Sequence, residues 1–100
     1  MRKIDILPIA ESDIAEILDF VAKENRSAAE HLLNNLEKSI SLLANQPMLG
    51  SIPKDHALAA TGIRFLVVGN FLVFYVVMPK KIQVRRVLHS KRDYMSLLKG

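Results

Sequence analysis

Apolar positions along the 100-residue chain follow two periods, a helical one from about residue 8 to 45 and a strand-like one after residue 62. Residues 2 to 7 alternate loosely, with Ile4 and Ile6 set against Lys3 and Asp5, which predicts a short first strand ended by Pro8. Proline suits the first helical position, where its missing N–H is not needed. From there Ala10, Ile14, Ile17, Leu18 and Val21 recur at helical spacing. Glu11 and Asp13 fall in the first turn, where the helix dipole favours negative charge. An amphipathic helix to about Glu24 is therefore expected. After Asn25 and Arg26 the run Ser27-Ala28-Ala29-Glu30 has the form of a capping box, so a second helix should begin at Ser27. Its apolar stripe is Ala29, Leu32, Leu33, Leu36, Ile40 and Leu43. It must end before Pro47, because the residue preceding a proline is pushed out of helical geometry. The two helices form a hairpin.

Residues 46 to 62 hold two prolines, two glycines and no sustained period, and read as a long surface connection of the kind that often carries function. Three strand candidates follow, Ile63 to Val68, Phe71 to Met78 and Ile82 to Leu88. Gly69-Asn70 is a tight hairpin signal, since both residues tolerate positive φ, and Pro79-Lys80-Lys81 makes the second turn. Residues 91 to 99 complete the pattern as a short C-terminal helix with Tyr94, Leu97 and Leu98 on its apolar side. The order predicts one α+β domain over residues 1–100, a β-α-α-β-β-β arrangement with the helical hairpin on one face of a small, mainly antiparallel sheet.

The segment 71–77 is apolar on both faces, with Phe71, Val73, Tyr75 and Val77 on one and Leu72, Phe74 and Val76 on the other. Such a strand is covered on both sides. Two helices cover only one face, which leaves the other to the terminal segment, to the 46–62 connection or to another chain.

Composition sharpens this. Half of the residues are hydrophobic and mean hydropathy is +0.18, high for a chain whose size lets it bury only about 60–65% of its unfolded surface. The longest uncharged apolar run, 71–79, is half the length of a membrane span, and no signal peptide is apparent, so a cytoplasmic protein is expected. Cysteine is absent, which excludes disulfides and thiolate metal sites. The net charge of +4 is unevenly placed: residues 1–50 carry five basic and eight acidic groups, residues 51–100 nine basic groups against Asp55 and Asp93. The basic second half suggests an anionic partner, nucleic acid or an acidic protein.

No Gly-rich phosphate loop and no metal-spaced cluster is present; His31, His56 and His89 are far apart, and neither a metal nor an organic cofactor is expected. The densest polar run is Arg85 to Tyr94. In a regular strand Arg85, Val87 and His89 point one way and Arg86 and Leu88 the other, so one arginine faces solvent or a partner and the other pairs inside, with Asp93 as a candidate carboxylate. A metal-free ribonuclease would want such a set, with cations stabilising the charged transition state and a histidine, tyrosine or carboxylate moving protons. Basic residues that bind an acidic partner explain the same run.

Residues 10–17 (Ala-Glu-Ser-Asp-Ile-Ala-Glu-Ile), the helix opening at Ser27, Pro47-Met48-Leu49-Gly50, Gly62-Ile63-Arg64 and the ending from Arg86 to Asp93 together resemble the RelE/ParE superfamily of type II toxins, and the ParE branch most closely. The resemblance covers nearly the whole chain in order. It implies two helices on an antiparallel sheet and a cognate antitoxin that wraps the toxin. ParE-type toxins act on DNA gyrase and are not known as enzymes, whereas RelE-type relatives are ribosome-dependent mRNA endonucleases. RelE-like ribonucleases carry a catalytic arginine at the position of Leu72 and a tyrosine at that of Leu98, and only the basic position near Arg92 matches. A leucine can neither neutralise a phosphate nor donate to it, so the resemblance implies a gyrase inhibitor with no catalytic residues. As a ribonuclease, the alternative, the chain would use Arg64, Arg86, His89 and Arg92. Partner binding is expected at Arg64, Leu72, Phe74, Arg85, His89 and Arg92, on an acidic antitoxin and on gyrase. Neither membrane association nor sequence-specific nucleic-acid binding by the toxin alone is expected.

Overall fold

A computed structural model describes residues 1–99. Its elements are β1 (Lys3–Ile6), α1 (Pro8–Glu24), α2 (Arg26–Leu42), α3 (His56–Ala60), β2 (Ile63–Val68), β3 (Phe71–Val77), β4 (Lys81–His89) and α4 (Tyr94–Lys99). The four strands form one sheet in the order β1-β4-β3-β2. The last three make an antiparallel meander, while β1 pairs parallel to β4 with Ile4 opposite Ile82. No described helix is long and apolar enough to cross a membrane.

Pro8 opens α1, as its fixed φ favours, with no side-chain cap. At α2 the capping box is not used: the Asn25 side chain accepts from the Ala28 N–H at 3.0 Å, and the helix starts one residue before Ser27. Asparagine is at least as good a cap as serine, and Asn25 is the single residue between the helices, closing α1 and capping α2. Gly69 takes φ +58 in the β2–β3 turn, and Asn70 does not share its left-handed geometry.

The hairpin buries Ala10, Leu36, Ile40 and Leu43 against Val73, Tyr75, Ile82, Val84 and Val87 of the sheet. The opposite face buries Leu72, Phe74, Ile63 and Leu88 against Leu58, with Tyr94, Met95 and Leu98 packed on them. Thus both α3, inside the segment read as a loop, and α4 cover the second face. Met95 replaces Leu97 on the inner side of α4; Leu97 is exposed.

Pairing of β3 with β4 slips between Phe74, opposite Arg86, and Tyr75, opposite Val84. Arg85 is the extra residue of a β-bulge, which breaks strict alternation. Arg85 and Arg86 consequently border the same hollow of about 250 Å³ beside Leu97 and Leu98, not opposite faces of the sheet.

Candidate functional site

Arg86 lies in β4, and Asp13 lies in α1, which packs against that strand. The Arg86 Nε and Nη2 donate to the two carboxylate oxygens of Asp13 at 2.8 and 2.9 Å, and the Val87 N–H adds a third bond to Asp13 at 3.0 Å. Asp13 is 7% exposed, so this is a buried, bidentate pair. Hydrogen bonding to Asp13 raises Arg86 above its already high ordinary pKa; burial opposes this, and the charges of Asp13 and Glu16 add to the rise. Asp93 is not the partner of the inner arginine: it caps the start of α4, accepting from the Ser96 N–H and hydroxyl. Arg85 is tethered through Nε to Gln83 Oε1 at 2.9 Å.

Arg64 stands opposite Tyr75 on β2 and turns toward the chain between α2 and α3. Its Nη2 donates to the carbonyls of Met48 at 3.2 Å and Gly50 at 2.8 Å, and its Nε is buried without a partner. The fully buried Tyr75 hydroxyl donates to the Pro47 carbonyl at 2.8 Å and accepts from the Gly50 N–H at 2.9 Å. A side chain at Gly50 would come within 2.5 Å of the Phe65 carbonyl oxygen, so the Pro-Met-Leu-Gly motif needs glycine for close backbone approach.

His89 ends β4 with its ring edge-on to Phe71, 5.3 Å between centroids, and its Nδ1 accepts from the Lys91 N–H at 3.0 Å. Arg92 is exposed in the following turn. Leu72 and Phe74 are buried on the second face, and Phe74 packs 5.3 Å from Tyr94 and 6.2 Å from Phe65. A hollow of about 380 Å³ opens there between Pro53, Lys54, Phe65 and Met95. The structure therefore does not gather Arg64, Arg86, His89 and Arg92 at one point. The Arg64 Nη2 is held by loop carbonyls and the Arg86 Nε and Nη2 by Asp13, and His89 is three residues, roughly 10 Å, along the strand from Arg86.

A second feature is the outer edge of β1, the last strand on its side of the sheet. An apolar groove of about 310 Å³ runs beside it between Ile4, Ile6, Ile14, Leu33 and Ile40. Sequence reasoning missed Asp13 and Tyr75, because each looked complete as a first-turn acid and a core aromatic; only the glycine of the Pro-Met-Leu-Gly motif hinted at the loop contact.

The fold resembles a solved structure described as the chromosomal ParDE TA system from P. aeruginosa, with a TM-score of 0.71 and 19% identity over 89% of this chain and 96% of that one. No curated protein sequence matches the chain significantly. The family model for the ParE toxin of the type II toxin-antitoxin system, parDE, matches residues 4–94. As that match spans nearly the whole chain, the chain belongs to the ParE toxin family of type II toxin–antitoxin systems.

Proposed function

We propose that this toxin acts by binding DNA gyrase and blocking it, without cutting nucleic acid, and that an acidic antitoxin neutralises it. The observation that carries the first part is Leu72, 7% exposed among Leu58, Phe74 and Leu88 at the position where RelE-like ribonucleases hold a catalytic arginine. A phosphate there would meet hydrocarbon. Two of the four remaining candidates, Arg64 and Arg86, are held by loop carbonyls and by Asp13. Protein binding needs none of these groups free.

For the antitoxin, the reading is supported by the groove beside β1, which offers both apolar anchorage and an unpaired strand edge to an extended or helical segment. Arg85 and Arg92 in the basic second half would meet its acidic side chains, with large apolar residues as the strongest contacts. The deciding experiment is a supercoiling assay with purified toxin and gyrase. Inhibition at near-stoichiometric toxin is expected. Unaffected supercoiling at excess, together with discrete mRNA cuts in a translating extract that His89→Ala abolishes, would replace this reading with ribonuclease activity.

A further inference from the structure

The segment 47–52 combines a tightly held backbone with exposed apolar side chains. Met48 is 61%, Leu49 44% and Ile52 59% exposed, whereas exposed Phe20, Leu33 and Val67 stand apart on α1, α2 and β2. Single exposed hydrophobic residues are ordinary on a protein surface; three within five residues are not. Asn45, Gln46 and Lys54, all exposed and polar, flank them in sequence.

Tyr75 and Arg64 form a clamp that holds the backbone of this segment although its side chains bury little. Every bond from Tyr75 and Arg64 goes to a main-chain atom, of Pro47, Met48 or Gly50. Ser51 adds two backbone bonds to Phe65 at the outer edge of β2. Buried polar groups are costly unless satisfied, so a buried tyrosine hydroxyl and a part-buried arginine devoted to one loop's carbonyls fix its shape. A loop fixed in this way loses little entropy when it binds.

We propose that residues 48–52 are the element with which this toxin docks on its target, inserting Met48, Leu49 and Ile52 into a preformed apolar pocket of a folded protein. A rigid loop with exposed apolar side chains suits a preformed pocket, which a wrapping segment lacks before it binds; the groove beside β1 is itself a concavity. The inference rests on the reading that the target is a protein.

The test compares the parent with Met48→Asp/Leu49→Asp, and with Met48→Ser/Leu49→Ser should the charged pair fail to fold. These side chains enter none of the clamp's bonds, so the melting temperature should stay within a few degrees of the parent's. Induced in a bacterial host, the parent should arrest growth, and the variant should restore viable counts at least a hundredfold; in the supercoiling assay the variant's half-inhibitory concentration should rise at least tenfold. Equal effects of parent and variant on growth, including none from either, overturn the loop's role. A variant equal to the parent on gyrase, where the parent inhibits, overturns it too and leaves the gyrase reading standing. Loss of growth arrest by the variant with gyrase untouched by either protein supports the loop and removes gyrase. A parent that is dimeric and a variant that is monomeric by light scattering would assign the loop to a second copy of the chain and overturn the proposal.

Discussion

Replacing Asp13 by alanine removes the acceptor of three hydrogen bonds at once. The Arg86 side chain, only 15% exposed, loses its counter-charge, and the Val87 N–H loses its bond. Stranding a buried charge costs about 3–5 kcal/mol and an unmet buried N–H about 1–3 kcal/mol, and because the losses share one site a total of about 4 kcal/mol is expected. For a chain of this size that is a fall in Tm of roughly 15–30 °C. Asp13→Asn keeps an acceptor for Val87 and should lose about half as much. Asp13→Leu combined with Arg86→Met removes both charges, and should recover most of the loss apart from the Val87 N–H. Urea unfolding of the parent, Asp13→Leu, Arg86→Met and the double variant, followed by circular dichroism, gives the four free energies of the cycle, with an expected coupling of about 2–3 kcal/mol. The sign with pH is fixed as well. A raised Arg86 pKa contributes stability that is complete below its unfolded value and lost only as pH climbs through the folded value, so the arginine's share of the coupling should be the same at pH 7 and pH 9 and vanish only in strong alkali. An alanine variant within about 1 kcal/mol of the parent, or single changes that simply add, would refute the Asp13–Arg86 pair as an energetic unit.

Gly50→Ala should cost about 1–3 kcal/mol, since the new methyl group meets the Phe65 carbonyl and the Tyr75 hydroxyl; amide exchange at Ser51 and Phe65 should accelerate together, and unchanged exchange would count against the clamp. Phe74→Ala, at 1% exposure between Phe65 and Tyr94, should lose about 3–5 kcal/mol in urea titration, while Phe20→Ala, 72% exposed on α1, should stay within about 0.5 kcal/mol.

The sequence by itself determined the elements whose causes are local. The helical spacing of Ala10, Ile14 and Ile17, the proline at the start of α1, the glycine in the β2–β3 turn and the two-sided apolar run of β3 each act over a few residues, so their pattern is written in neighbouring positions. Tertiary structure decided what depends on partners distant in sequence. Asp13 meets Arg86 across 73 positions, and Tyr75 meets Pro47 across 28, so neither contact leaves a periodic trace. The bulge at Arg85 arises from pairing with β3, and it alone moved that arginine beside Arg86. Coverage of the second face was legible as a need but not as an answer, because α3 is too short to show a period and α4 is held by packing of Tyr94, Met95 and Leu98 against the sheet. For the candidate surfaces the division is the same: residue types were visible along the chain, but which arginines are consumed inside, and which loop is held rigid with its apolar side chains outward, followed from long-range packing.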